Sequence, residues 1–149
     1  MTHISTLNTA ESLPYAGDVR ADDAWQFMKH HVCALIDVRT PKEWSSVGVV
    51  DTSDAQSTNI LLSLLFDNGV SNPDFATQLA HHVPDKDMPL FFLCKIGGRS
   101  ARAAALATEM GYHHAYNIAH GFEGIEDSAG LRGTINGWKA EGLPWNMVR

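Results

Sequence analysis

The sequence predicts an α/β fold built on a parallel β-sheet. Two short apolar runs, residues 32–36 and 89–93, are typical of strands that are buried on both faces of such a sheet. The second run is followed by an alanine-rich stretch of helical character at residues 100–110, and then by a short strand at 114–118. A strand, a helix and a strand in this order form a βαβ unit, whose strands are parallel and whose crossover is right-handed.

The chain is expected to form one domain preceded by an arm. Its 149 residues, 44% of them hydrophobic, suffice for a single core and leave little room for a second. Residues 1–17 are mostly polar and rich in Ser, Thr and Asn, which predicts a flexible N-terminal arm. The single domain is then expected over residues 18–149.

The first half of the domain begins with a helix over residues 21–31. Asp22 and Asp23 lie in its first turn, where carboxylates suit the helix dipole. The strand at residues 32–36 follows directly. Residues 47–59 are rich in Ser, Thr and Asp, and they predict a long loop.

Two more helices complete the prediction. One covers residues 72–82, where Asn72 can cap the helix and Pro73 can open its first turn. The βαβ unit comes next along the chain. The last helix is expected over residues 133–140.

Charge and composition exclude several classes of function. The formal net charge of −6 argues against nucleic acid or an anionic membrane as the main partner. No segment reaches the roughly 18 apolar residues that a membrane span needs. Two cysteines are too few for a disulfide framework, which favours a reducing compartment. We therefore expect a cytoplasmic protein that binds neither nucleic acid nor membranes.

The eight histidines do not predict a metal site. Six of them form adjacent pairs, at residues 30–31, 81–82 and 113–114. Adjacent side chains on a helix or strand point in different directions, unlike a set of metal ligands. We expect neither a metal nor another cofactor.

The segment around Cys94 has the features of a functional loop. Cys94 directly follows a predicted strand and precedes a predicted helix, at the edge of the sheet where α/β proteins place ligands. Gly97 and Gly98 permit backbone angles closed to other residues, so that successive amide N–H groups can converge on an anion. The positive end of the following helix adds to this field.

Two basic side chains flank this cysteine. Lys95 and Arg99 favour the thiolate form of Cys94, which is the nucleophilic form. Arg99 offers a planar fork of donors that matches a sulfonate, phosphate or carboxylate, whereas Lys95 offers a point charge. A small oxyanion pocket is therefore predicted. An inert buried cysteine is the alternative for Cys94, and it is the preferred interpretation of Cys33, which has no glycine or basic neighbour.

These residues resemble the rhodanese family. The resemblance rests on the strand, the loop Cys94-Lys95-Ile96-Gly97-Gly98-Arg99-Ser100 and the helix after it, on Leu35-Ile36-Asp37-Val38-Arg39 with Glu43-Trp44, and on Gly142-Leu143-Pro144 after Trp138. It covers roughly residues 18–145, and its motifs come in the expected order and spacing.

The resemblance implies a fold and an activity. The fold would be a rhodanese-like α/β sheet of about five parallel strands flanked by helices on both faces. The activity would be sulfur transfer, in which Cys94 takes a sulfane sulfur from a donor such as thiosulfate, holds it as a persulfide and passes it to a thiol or cyanide acceptor. A protein is a further candidate for donor or acceptor.

The resemblance also implies roles for other residues. Substrate binding is expected from the loop residues Lys95, Ile96, Gly97, Gly98, Arg99 and Ser100. Asp37, Arg39 and Glu43 are expected to support the loop. Arg39 and Glu43, four residues apart at a helix start, are a candidate ion pair. A strand-end ion pair without a catalytic part is the alternative for Asp37 and Arg39.

The sequence departs from the family pattern at three places. Ile96 is apolar where many relatives have a polar or basic residue, which weighs against thiosulfate as the physiological donor. Residues 47–59 replace a short His-x-x-Gly-Ala stretch, and residues 121–133 form an inserted glycine-rich loop. Long loops of this kind often act as lids or binding loops.

Two other functions remain open at this point. One is a persulfide carrier or a non-catalytic binding module, which would exchange sulfur with a partner protein and turn over small molecules slowly. The other is a phosphatase or arsenate reductase. Phosphatases of this fold have the pattern Cys-x5-Arg, whereas this chain has Cys-x4-Arg, a smaller cradle for an anion.

Overall fold

A five-stranded parallel sheet forms the centre of the molecule in the computed structural model, which describes residues 13–148. In chain order the elements are β1 (Gly17–Val19), α1 (Ala21–His30), β2 (Cys33–Asp37), α2 (Pro41–Val47), β3 (Val49–Val50), β4 (Ser57–Leu61), α3 (Phe75–His82), β5 (Leu90–Leu93), α4 (Gly98–Glu109), β6 (Ala115–Ile118) and β7 (Trp145–Asn146). The central sheet has the order β1-β6-β5-β2-β4, and β3 and β7 form a separate antiparallel pair.

The two strands predicted most directly by their apolar runs, β2 and β5, lie side by side in the sheet. All of their residues are buried. Their register pairs Leu35 with Phe91 and Ile36 with Phe92. Because side chains alternate along a strand, the first pair faces one side of the sheet and the second pair faces the other.

Helices cover both faces of the sheet. Ile36 and Phe92 belong to a core that is closed by α3 and α4. Leu35 and Phe91 belong to a second core, closed by α1 and by Trp138 from the C-terminal segment. This architecture confirms the predicted α/β fold with about five parallel strands and helices on both faces.

Most predicted elements are present within a residue or two at each end. The helices expected at residues 21–31 and 100–110 are α1 and α4, and the expected strands are β2, β5 and β6. The helix expected from residue 72 begins only at Phe75. Asn72 instead holds the turn before α3, where its Oδ1 accepts the N–H of Asp74 at 3.0 Å.

The long loop predicted over residues 47–59 is wrong in part. It contains β3 and the first half of β4, in which Ser57 pairs with Cys33 and Asn59 with Leu35. β4 is the last strand of the sheet, and three of its five residues are polar. An edge strand needs less apolar surface than a central one, so its composition resembles that of a loop.

The helix predicted over residues 133–140 is absent. The segment forms a series of turns, in which Gly133 and Gly137 have φ values of 84° and 92°. Positive φ is incompatible with a helix interior. The N–H of Trp138 does not form a helical hydrogen bond, because it donates to the Gly121 carbonyl at 2.9 Å.

The arm expected over residues 1–17 falls mainly on residues 1–12, which lie outside the described residues. Ahead of β1, the Ala16 N–H donates to the Ala115 carbonyl at 2.9 Å, which continues the pairing of β1 with β6. Within residues 13–148, no helix has the length and apolar character needed to cross a membrane.

The parallel sheet brings several loops to one edge. Because the five strands run in the same direction, the residues that follow their carboxyl ends lie next to one another. Cys94 follows β5, Val38 and Arg39 follow β2, and Ala119 follows β6. This edge contains the candidate site.

Candidate active site

Cys94 lies at the base of the loop between β5 and α4, with 1% of its surface exposed. The backbone N–H of Gly97 donates to its Sγ at 3.1 Å, and Ser100 Oγ lies 3.1 Å from the same sulfur. The sulfur is therefore held by one backbone group of the loop and by one side chain of the helix.

Gly97 makes the turn from the loop into the helix. Its φ of 116° lies in the left-handed region, and it precedes the first residue of the 12-residue α4. A side chain at this position would be strained whatever space it had. The turn directs the Gly97 N–H to Cys94 Sγ and puts the positive end of α4 beside the loop. Of the two glycines of the loop, only Gly97 has a positive φ.

A chain of hydrogen bonds leads from Cys94 into the neighbouring strands. Ser100 Oγ bonds to Asn117 Oδ1 at 2.5 Å, and Asn117 Nδ2 donates to Asp18 Oδ1 at 2.9 Å. Tyr15 donates its hydroxyl to the same carboxylate oxygen at 2.7 Å. Ser100 and Asn117 are both buried. The chain thus joins the sulfur to β6 and β1.

Asp18, at the end of this chain, determines the direction in which its hydrogen bonds are donated. An ionised carboxylate only accepts hydrogen bonds, so Asp18 fixes the side-chain amide of Asn117 with its Nδ2 toward Asp18 and its Oδ1 toward Ser100. Ser100 then donates its single proton to Asn117. Toward Cys94 Sγ it presents a lone pair, so the thiol donates to Ser100 Oγ.

Sequence reasoning missed Asp18, Asn117 and Tyr15. The signal for Asn117 was present, since it is a polar residue inside a short, otherwise apolar strand, and such a residue needs a buried partner. Burial, followed by the hydrogen bond to Asp18, raises the pKa of Tyr15 to about 12. Tyr15 therefore stays a donor to Asp18 throughout the physiological range.

The glycine-rich segment after β6 supports the loop from behind. The Phe122 N–H donates to the Cys94 carbonyl at 2.8 Å, and the N–H groups of Glu123 and Gly124 donate to the Lys95 carbonyl at 3.0 and 3.2 Å. Gly121 has a φ of 62°, and a Cβ there would lie 2.5 Å from the Cys94 carbonyl oxygen. The inserted segment is therefore part of the site, a role that the sequence left open.

Arg99 is held by Glu43. Its Nη1 and Nη2 donate to Glu43 Oε1 and Oε2 at 2.7 and 2.9 Å, a bidentate pair whose two side chains are about one-fifth exposed. Burial opposes the charge of Glu43, but the hydrogen bonds and charge of Arg99 leave its pKa below the ordinary value. The same hydrogen bonds raise the pKa of Arg99. The fork predicted for a substrate oxyanion thus binds a carboxylate of the protein.

The ion pair predicted between Arg39 and Glu43 is wrong. Arg39, fully buried, donates from Nε and Nη2 to Asp37, with a closest distance of 2.7 Å, and from Nη2 to the Gly48 carbonyl. Glu43 instead forms a capping box with Thr40 at the start of α2. A carboxylate two residues away in an extended segment lies nearer to Arg39 than one on the helix.

Asp37 and Arg39 reach the loop indirectly. The Arg39 guanidinium lies 4.3 Å from the centre of the Phe122 ring, and Phe122 is the residue whose N–H binds the Cys94 carbonyl. Arg39 therefore packs against the segment that backs the loop. Its Nη1 is buried, and among residues 13–148 it has no hydrogen-bond partner.

The outer part of the loop has mixed character. Ile96 is 50% exposed and is the most exposed apolar side chain of the loop. Lys95 is partly exposed, and within residues 13–148 it takes part in no ion pair. Gly98 is exposed at the first position of α4. A ligand approaching the loop would meet one ammonium group and one aliphatic side chain.

Cys33 is separated from the site. Cys33 is the first residue of β2, whereas Cys94 follows the last residue of β5. Because these two strands are parallel, the cysteines lie toward opposite ends of the strands. Burial raises the pKa of the Cys33 thiol to about 11. The expectation of an unreactive packing residue agrees with this environment. Among the described residues, no group of three His, Cys, Asp or Glu side chains is placed to hold a metal ion.

Known proteins share this arrangement of elements. Residues 20–128 match the family model described as the rhodanese-like domain. RP600, an uncharacterized protein of Rickettsia prowazekii (strain Madrid E), is 38% identical over 114 residues, which cover 76% of this chain and 82% of the rickettsial protein.

Solved structures extend the comparison. The crystal structure of Rv0390 from M. tuberculosis matches with a TM-score of 0.83 and 40% identity, covering 90% of this chain and 99% of that one. The polysulfide-sulfur transferase homodimer of Wolinella succinogenes matches with a TM-score of 0.58 and 23% identity, covering 87% and 77% of the two chains. At that identity the second match shows a common fold alone.

Proposed function

Because the chain belongs to the rhodanese-like domain family, we propose that it is a sulfurtransferase that carries sulfane sulfur as a persulfide on Cys94. The observation that supports this most strongly is the position of Cys94 Sγ at the base of the loop, where the Gly97 N–H donates to it. Such a backbone donor stabilises negative charge on sulfur.

The proposed reaction has two steps. In the first, the Cys94 thiolate attacks the sulfane sulfur of a donor, a sulfur–sulfur bond forms to Cys94, and the donor's own bond to that sulfur breaks. The electron pair of the broken bond leaves with the donor, as sulfite when the donor is thiosulfate. In the second, a thiol or cyanide attacks the outer sulfur and restores the Cys94 thiolate.

The surroundings of the loop suit these steps. The Cys94 and Lys95 carbonyls accept hydrogen bonds from Phe122, Glu123 and Gly124. This fixes the first peptides of the loop, so that the Gly97 N–H is in place before negative charge develops on the sulfur. Lys95 adds a positive charge at the mouth, where we assign it to substrate binding together with Ile96.

A turnover assay tests this proposal. The protein is incubated with thiosulfate and cyanide, and thiocyanate is measured over many turnovers. We expect formation by wild-type protein and by Cys33→Ser, and none by Cys94→Ser. Thiocyanate formation that persists in Cys94→Ser would contradict the proposal.

A persulfide carrier is the second candidate. The half-exposed Ile96 at the mouth of the loop favours it, because an apolar side chain there suits contact with a partner protein. A carrier would accept sulfur from a protein-bound persulfide and turn over thiosulfate and cyanide slowly. The phosphatase alternative loses support, since the loop arginine already binds Glu43. Hydrolysis of p-nitrophenyl phosphate that depends on Cys94 would restore it.

The proposed setting is the cytoplasm. A reducing compartment would keep the Cys94 thiol from forming a disulfide with another thiol. Both cysteines, Cys33 and Cys94, are free and buried.

A further inference from the structure

Glu43 takes the two donors that an oxyanion would use. Arg99 Nη1 and Nη2 each give one N–H to Glu43, at 2.7 and 2.9 Å, which is the end-on geometry that a sulfonate would need. The pair is largely buried. An anion that displaced Glu43 would leave its carboxylate without a partner in a poorly solvated place. Breaking the pair here costs more free energy than breaking an exposed ion pair would.

Glu43 is also held from its own side. Its Oε1 accepts the N–H and the hydroxyl of Thr40, both at 3.2 Å, and its N–H donates to Thr40 Oγ1 at 3.3 Å. This capping box fixes the start of α2. The carboxylate is therefore in place whether or not a substrate is bound, so the pair is a permanent feature of the loop's surroundings.

The charge that remains at the loop is small. Arg99 and Glu43 cancel each other, which leaves the single positive charge of Lys95 and the apolar side chain of Ile96. Thiosulfate carries two negative charges and three sulfonate oxygens that need donors. A hydropersulfide, R–S–SH, carries at most one negative charge on its transferable end and no oxygens there.

We propose that Glu43 is a specificity-determining residue, which makes hydropersulfides and polysulfides better donors than thiosulfate by keeping Arg99 occupied. This inference rests on the proposed function of Cys94 and narrows the class of its donor. The Cys94 thiolate attacks the outer sulfur of R–S–SH and forms a new sulfur–sulfur bond. The donor's sulfur–sulfur bond breaks, and its electron pair leaves on R–S⁻, which takes a proton from water. No other oxidant or reductant is needed.

The test compares two donors and two charge-neutralising variants. The rate of one-sulfur mass gain is measured with thiosulfate and with cysteine hydropersulfide, for wild-type protein, Glu43→Gln and Glu109→Gln. Glu109 is exposed at the last position of α4, about 15 Å along the helix from Arg99, so its substitution makes the same change in net charge away from the loop. Cys94→Ser shows whether the added sulfur is on Cys94.

The expected result is a change in the ratio of the two rates. Glu43→Gln should raise the rate with thiosulfate about tenfold and change the rate with cysteine hydropersulfide less than about twofold, because only the oxyanion gains a donor pair. Glu109→Gln should leave both rates unchanged. Glu43→Asp keeps the carboxylate and should retain the wild-type ratio of the two rates. That result would show that the charge of residue 43 determines the preference between the donors. General damage to the fold would lower both rates together.

Two results would overturn the inference. If Glu43→Gln loads from thiosulfate no faster than wild type while cysteine hydropersulfide loads Cys94 in both, Glu43 does not select the donor, and the proposed sulfur transfer stands. If neither donor adds sulfur to Cys94 in wild-type protein, the proposed function fails and the inference fails with it.

Discussion

The sulfur of Cys94 has two hydrogen-bond partners, one of which donates to it and one of which accepts from it. The Gly97 N–H can only donate, whereas Ser100 Oγ presents a lone pair because its proton is committed to Asn117. Negative charge on the sulfur is therefore stabilised from the side of the backbone. Ser100 Oγ can accept a hydrogen bond from the Cys94 thiol for as long as the chain to Asp18 is intact.

This geometry gives a prediction for Asn117. In Asn117→Ala, Ser100 loses its acceptor and can turn its proton toward Cys94, which stabilises the thiolate. We expect iodoacetamide to alkylate Cys94 about three- to tenfold faster at neutral pH than in wild type.

A double mutant supplies the control. The effect requires the Ser100 hydroxyl, so Ser100→Ala with Asn117→Ala should react no faster than Ser100→Ala alone. A rate increase of the same size in the double mutant would instead mean that Asn117→Ala opens the loop by general loosening.

The Glu43–Arg99 pair gives a prediction for pH. The net effect of burial and Arg99 is a pKa of Glu43 below its ordinary value of 4.5. A carboxyl group with a lowered pKa in the folded state stabilises that state above its ordinary pKa, and this is lost as pH falls through the folded value. Wild-type protein should thus be more stable than Glu43→Gln at pH 7, and the difference should shrink below pH 4.5.

Urea denaturation of both proteins across this range measures the difference. Arg99 keeps its charge throughout, so the pH dependence of the difference reports on the carboxyl group. A difference that is as large near pH 3 as at pH 7 would show that Glu43 acts through packing rather than through its charge.

At the scale of elements, the site depends on a segment with no regular structure. The three backbone bonds from residues 122–124 to the loop require close approach, which Gly121 permits. Composition marked this segment only as glycine-rich. Which glycine faces which carbonyl depends on how β5 and β6 pair, and that is a property of the folded sheet.

Substitutions at two glycines of this segment distinguish the effect of backbone strain from the effect of a close contact with the loop. Gly121 and Gly130 have φ values of 62° and 81°, but a Cβ on Gly121 would meet the Cys94 carbonyl, whereas nothing lies within 4 Å of one on Gly130. Gly130→Ala should cost about 1 kcal/mol from backbone strain alone. Gly121→Ala should cost about 2 kcal/mol more and slow persulfide formation.

Chemical denaturation and sulfur loading measure the two effects. Gly130→Ala should load Cys94 at the wild-type rate. If the two variants are equally stable and load sulfur at equal rates, the close contact between Gly121 and the loop affects neither stability nor sulfur transfer.

At the scale of the molecule, the sequence predicted what depends on local pattern. Continuous apolar runs identified β2 and β5, and the cysteine between a strand and a helix identified the loop. The polar edge strand β4 was missed, because its burial comes from its neighbour and not from its own composition.

The partners of the charged residues were harder to predict. Spacing favoured Arg39 with Glu43, whereas the fold joins Arg39 to Asp37 and brings Arg99 to Glu43 from 56 residues away. Asp18 and Asn117 meet only because β1 and β6 are adjacent. Pairing between distant segments is set by topology, which no local pattern records.

Sulfur transfer by this protein requires that Cys94 carry the transferred sulfur. Intact mass measured after incubation of the reduced protein with cysteine hydropersulfide or thiosulfate, followed by peptide mapping, tests it most directly. We predict a gain of one sulfur atom, located on Cys94, present in Cys33→Ser, absent in Cys94→Ser and removed by cyanide. If the protein gains no sulfur from either donor, or gains it on Cys33, then Cys94 does not carry the transferred sulfur.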